Sequence, residues 1–220
     1  MKLFKEFEDL PQRKYHLFLS SGTTQSHRSR SYFTSEGLNL YKVSSIISFH
    51  DFLKRSFWEE EDLFSIPGVS LIPQKKEWPQ SSLAQMISWF SDFWHLNYFN
   101  PQAPEESFTH TSMKKPMWVY GTAFHFVNLY DSGFKVPLPS GSIIIETGGT
   151  KGKSRKVSQS ELKNMISKMF GVHEALIFSE YSMCEMASQA YSDQCTDTSK
   201  QKFSFPFWTK TYVMEKNGIL

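Results

Sequence analysis

Two cysteines in 220 residues leave no disulfide framework to read. Cys184 and Cys195 have neither CxxC spacing nor a zinc pattern, so the expectation is a pair of reduced thiols. Charge of one sign is scarce as well. The net charge is +2 and the basic residues are scattered rather than striped, which excludes a nucleic-acid footprint. Long apolar runs are missing: no window approaches the ~18 residues of a membrane span. The start, "MKLFKEFEDLPQRK", lacks the apolar centre of a signal peptide. These absences point to a soluble, cytoplasmic protein. A Walker A loop, GxxxxGK[ST], is also absent, as are internal repeats and low-complexity tracts.

Aromatics are what the chain has in excess. Phe occurs 20 times, aromatics make up 16% and apolar residues 40%, enough for a packed core. The length suits one substantial α/β domain, and we read residues 1–220 as one. "YHLFLS" (15–20) and "GVSLIP" (68–73) have strand composition, as do "PMWVYG" (116–121), "SIIIE" (142–146) and "EALIFSE" (174–180). Helical spacing puts Leu38, Tyr41, Ser45, Phe49, Phe52 and Leu53 near one face. A helix over 81–96 opens with a capping box, Ser82 with Gln85, and carries a stripe of Leu83, Met86, Ile87, Phe90, Phe93 and Trp94. "TAFHFVNLYDSG" reads as a helix ending near Gly133. Another spans 158–171, with a box of Ser158 and Glu161 and Gly171 as its stop. Residues 100–115 read as loop and 192–202 as a polar, mobile one. The end of the chain reads as a strand turning at Asn217 and Gly218 toward a partner the chain does not supply. Such an unpaired edge invites self-association.

Strands alternating with helices predict a mostly parallel, helix-covered sheet, whose ligands sit beyond the carboxyl ends of the strands. Three polar stretches are expected there. "SSGTTQSHRSR" is either a polar turn or a phosphate loop. Gly22 would turn amides inward, Ser20, Ser21, Thr23 and Thr24 would donate hydroxyls, and Arg28 and Arg30 would add charge. "TGGTKG" is either a tight turn or a place where a flat ring lies on the bare backbone of Gly148 and Gly149. The Lys151, Lys153, Arg155 and Lys156 run after it reads as a solvated face. "YSMCEM" offers Tyr181 to stack on a base and Glu185 to hold magnesium; the alternative is a packed tyrosine and a helix-start acid.

In order and spacing, "SSGTTQSHRSR", "IIIETGGTKGKSRKVSQSEL" and "YSMCEMASQAY" resemble the adenylate-forming enzyme superfamily, and most of all the acyl-protein synthetases of the bacterial bioluminescence fatty-acid reductase system. The resemblance implies ATP-dependent activation of a carboxylic acid, usually fatty, as an acyl-adenylate, then transfer to a thiol on a protein or on coenzyme A. It implies that Ser20, Ser21, Gly22, Thr23, Thr24 and Arg28 hold the phosphates. Gly148, Gly149, Tyr181 and Ser182 would hold the adenine. Glu185 would be the Mg²⁺ ligand and, with Cys184, a catalytic position. Tyr120, Gly121, Phe124 and His125 would line the acyl pocket, with His125 serving as packing.

The chain departs from that pattern in three places. Ser182 stands where the motif has Gly, and Cys184 where it has Thr, which weakens a hydrogen bond to the α-phosphate. Gln25 and a reordered basic cluster follow the phosphate loop. The expectation is a partial adenylation domain, without the small C-terminal domain, that turns over poorly alone. Two other readings share these residues. One is a non-catalytic nucleotide-binding or interaction module, and the other a coenzyme A ligase of the phenylacetate-activating type.

Overall fold

The computed structural model describes residues 15–20, 28–57, 62–109, 115–148, 155–194, 201–210, 214–215 and 218–219. The chain opens with β1 (His16–Leu19) and β2 (Arg30–Phe33), followed by α1 (Ser35–Ser56), β3 (Gly68–Ser70), α2 (Ser82–Phe90) and β4 (Leu96–Tyr98). Next come the short α3 (Glu106–Thr109), β5 (Trp118–Thr122), α4 (Ala123–Asp131), β6 (Ile143–Thr147), α5 (Gln159–Phe170) and β7 (Ile177–Tyr181). The last strands are β8 (Ala190–Ser192), β9 (Phe203–Ser204), β10 (Met214–Glu215) and β11 (Gly218–Ile219).

Seven strands form one sheet in the order β4-β3-β5-β6-β7-β8-β9. β4 through β7 run parallel, and β8 and β9 extend the sheet antiparallel. The expected class, a mostly parallel helix-covered α/β sheet, is the one found. Parallel strands covered on both faces need apolar side chains on both, and Ile143, Ile144 and Ile145 are each fully buried, as "SIIIE" predicts.

The two faces carry two cores. On one, α1 and α2 pack Phe49, Phe52, Phe90, Trp94, Trp118 and Tyr120 together. Phe49 stacks on Phe90 at 4.3 Å and meets the edge of Trp118 at 5.0 Å. On the other, α4 and α5 cover Val119, Phe126, Ile144, Ile166 and Phe170. Much of the phenylalanine excess therefore fills the space between sheet and helices.

Several expected boundaries move. The strand over 15–20 does not join the main sheet: β1 pairs antiparallel with β2, Leu19 opposite Arg30. Its connection is too short for the dozen or more residues of a parallel crossover, so it can only make a hairpin. The predicted helix over 81–96 stops at Phe90. Its cap is Ser81, whose hydroxyl accepts from Ala84 N, rather than Ser82, and Phe93 is largely exposed. β4 follows, and α3 interrupts the predicted loop over 100–115. In the 192–202 stretch, Asp193 N donates to Lys202 O at 2.8 Å, while residues 195–200, including Cys195, lie outside the described residues. The terminal strand finds its partner within the chain, since β10 pairs with β11, Met214 opposite Ile219. No helix among the described residues is long and apolar enough to cross a membrane.

Candidate functional site

Three adjacent parallel strands end side by side. In register, Thr122 of β5 lies opposite Thr147 of β6, which lies opposite Glu180 of β7. Gly148 and Tyr181 therefore emerge next to each other from neighbouring strands, as the sequence predicts. Gly148 has φ 65° and nothing within 4 Å of where a Cβ would sit, an open left-handed turn suited to glycine. Gly149 lies outside the described residues. Tyr181 is 44% exposed, with Phe203 and Phe205 each at 6.1 Å. Ser182 is half-buried and Glu185 exposed.

The hairpin reaches this edge from another side. Ser31 of β2 donates to the sulfur of Cys184 at 3.7 Å, and Leu19 N donates to Gln80 O at 2.9 Å. Within the hairpin, Ser20 N donates to Ser29 O and Ser20 Oγ accepts from Ser29 N, so the strands stay paired up to the loop. Ser20 and Arg28 flank that loop, and Arg28 is exposed. Ser21, Gly22, Thr23 and Thr24, the expected phosphate ligands, lie outside the described residues, as do Gln25, Lys151 and Lys153. Arg155, from the basic run, pairs with Glu161 at 2.8 Å and Asp131 at 3.3 Å, joining α4 to α5.

Cys184 sits differently from a reactive group. It is buried, its thiol faces Ser31, and burial pushes its pKa up, which keeps it a thiol. It works here as the joint between hairpin and loop.

The four residues expected to line an acyl pocket are divided between the two faces of the sheet. Tyr120 is fully buried in the α1 core, and burial raises its pKa well above the usual 10. Gly121 faces the other way, where an added Cβ would stand 2.9 Å from Leu71 and 3.0 Å from Phe126. Close packing, rather than a pocket wall, is what that glycine provides. His125 closes a reciprocal cap at the start of α4: its Nδ1 accepts from Thr122 N, and its own N donates to Thr122 Oγ1. Its ring lies 6.3 Å from that of Trp78 and 5.7 Å from that of Phe124. Cavities of about 530 and 330 Å³ lie elsewhere, against the last turns of α1, and none of the four residues lines either.

Sequence reasoning missed a set of buried carboxyls under the same edge. Glu180 points into the α1 face, where its carboxyl accepts from Thr147 Oγ1 and hydrogen-bonds Ser182. Burial raises its pKa to about 7. Tyr120 also hydrogen-bonds this carboxyl, and Tyr191 interacts with Tyr120 beside it. On the opposite face Glu146 accepts from Ser179 Oγ and from Gln159 Nε2, and burial raises its pKa too. A carboxylate inside an apolar strand, as in "IIIET" and "IFSEY", was the available signal.

Among solved structures, the chain is similar to the R395G form of coronafacic acid ligase from Pectobacterium brasiliense, at 14% identity and a TM-score of 0.50. That match covers 85% of this chain and 34% of the ligase. It is also similar to an ATP-bound RpMatB-BxBclM chimera, at 12% identity and a TM-score of 0.50, over 82% of this chain and 31% of the other. No family model matches the sequence, and no curated protein matches it. The chain spans about a third of the length of the structures it resembles. The likeness is one of fold: the sheet and its helices match part of each of these larger chains.

Proposed function

We propose that the chain is the nucleotide-holding part of an adenylate-forming ligase that activates a carboxylic acid, in the manner of the acyl-protein synthetases. One observation carries this reading: Gly148 and Tyr181 leave adjacent parallel strand ends, and the hairpin of Ser20 and Arg28 is joined through Ser31 to Cys184, the neighbour of Glu185 in the loop that follows Tyr181. Ser20 and Arg28, with Ser21, Gly22, Thr23 and Thr24 between them, take the β- and γ-phosphates. Gly148 and Gly149 lie along the adenine, with Tyr181 on its other face and Ser182 at its edge.

Glu185 is the magnesium ligand. Among the described residues no three His, Cys, Asp or Glu groups gather to hold a metal alone. One exposed carboxylate working with phosphate oxygens is how magnesium is commonly held at nucleotide sites. Bound there, the ion would offset phosphate charge as a substrate carboxylate attacks the α-phosphorus and pyrophosphate leaves. The resulting acyl-adenylate passes its acyl group to a thiol, of a protein or of coenzyme A, and AMP departs. The acid is fatty in this reading.

A second reading has one observation behind it. Phe207 (93% exposed), Met183, Tyr181 and Trp208 stand out of the surface near the same edge, as an interaction module would present them.

Calorimetric titration of Mg-ATP into the 220-residue chain separates the two. The expected result is saturable binding, weakened about tenfold by Tyr181→Ala through lost stacking, and weakened in Glu185→Ala only when magnesium is present. No binding up to millimolar nucleotide by the folded chain would overturn the nucleotide reading in favour of the interaction module.

A further inference from the structure

A cavity of about 330 Å³ lies between the second half of α1 and the strands β8 and β9. None of the described residues given to the nucleotide lines it, and Arg55 at its mouth stands roughly 30 Å along α1 from Ser35, where the hairpin joins. Small-molecule sites begin near this volume, and a cavity of about 150 Å³ already takes benzene. Its floor has bonds to give. Ser48 is 5% exposed, and its hydroxyl has no partner among the described residues. On the same helix Ser45 and Ser56 hand theirs to Tyr41 O and Phe52 O, one turn back, and Ser44 Oγ meets Ser188 Oγ. A buried hydroxyl left over is costly unless something comes to it. Gln189, fully buried, hydrogen-bonds Tyr41, which uses only part of what a carboxamide can make.

The mouth carries charge. Lys54 and Arg55 are exposed in the last turn of α1, and neither makes an ion pair among the described residues. Arg55 Nε donates to Asp51 O at 3.4 Å, and Asp51, the one acid lining the cavity among the described residues, lies 3.6 Å from His50 Nδ1. Cations in a last turn offset the helix dipole wherever they occur. Here they also overlook an aromatic wall, Phe205 and Phe207, the latter 93% exposed. We propose that the cavity binds a planar aromatic anion of about two fused rings, with its charge at Lys54 and Arg55, its rings on Phe205 and Phe207, and a polar substituent at Ser48 and Gln189. The guanidinium fits a carboxylate or sulfonate in two parallel bonds, and the exposed phenyl face exchanges water for ring contact. This site is separate from the nucleotide edge.

The test is calorimetric titration of the folded chain with a hydroxynaphthalenesulfonate whose two substituents lie at opposite ends, a probe with no carboxyl to activate. The expected result is saturable one-to-one binding. Changing Lys54→Gln and Arg55→Gln together should weaken it about tenfold. Both side chains are exposed, so the fold should be unaffected. Neutral naphthol should bind the wild type about tenfold more weakly than the probe and ignore that pair of changes. Ser48→Ala should weaken the probe about fivefold but leave naphthalenesulfonate, which lacks the hydroxyl, unaffected. Binding should persist with Mg-ATP present, and it stands whether or not the chain takes nucleotide. No saturable binding, or binding that ignores both the charge pair and Ser48, overturns the proposal. Displacement of the probe by Mg-ATP would place it at the strand edge instead and overturn the proposal too.

Discussion

Gly68 lies flat against the indole of Trp118: an added Cβ would sit 2.2 Å from Cζ2. Neither the ring, fully buried among Phe49 and its neighbours, nor the strand can yield. Gly68→Ala should cost about 3 kcal/mol or more by overpacking, read as a lower urea midpoint. The buried carboxyls act on stability through pH. Glu180 moves from an ordinary 4.5 to about 7, and Glu146 also moves up. Between those values the native chain keeps a proton that the unfolded chain has lost, so stability falls as pH rises through this window and levels off above about 7. Glu180→Gln should remove much of that slope and be the more stable protein at pH 8. Denaturant curves at pH 5 and pH 8 check both statements. The sequence showed each carboxyl inside an apolar strand, but what surrounds it depends on which strands become neighbours.

Elements were legible where local chemistry was complete. The Ile run of β6 and the cap of α5 are examples: Ser158 Oγ accepts from Glu161 N, and Gly171 closes the helix at φ 67°. Ser158→Ala should cost about 1 kcal/mol through the lost cap. Gly171→Ala should cost about 1–2 kcal/mol through left-handed strain. Thermal unfolding of each variant measures the two contributions. Where local signals were ambiguous the reading slipped by small amounts. Two serines in a row allowed the α2 cap to be placed at Ser82 instead of Ser81. β4 is only Leu96, Asn97 and Tyr98, three half-buried residues too short a run for composition to separate from the end of α2. The β1 hairpin was read as a sheet strand because composition reports burial and says nothing about direction.

At the scale of the whole molecule, the carboxyl edge of a parallel sheet gathers groups from distant parts of the sequence, which is why such edges hold ligands. Motif order was enough to bring Gly148 and Tyr181 to neighbouring strand ends. It could not foresee that Tyr120 would face one core and Gly121 the other. Cys184 has a consequence at this scale that can be tested directly. Replacing it with Ala removes the acceptor for Ser31, and the hairpin should become more mobile while the sheet keeps its stability. Faster amide exchange confined to β1 and β2 is the expected readout.

That same contact says something about time. Ser31 and Cys184 are 153 residues apart, whereas β5 to β8 pair with strands next to them in sequence. Contacts across long separations form late, because the chain must lose much freedom before any of them is made. The sheet should therefore assemble first and the hairpin dock last. During refolding there is then a stage with an ordered sheet and a core still waiting for Phe18.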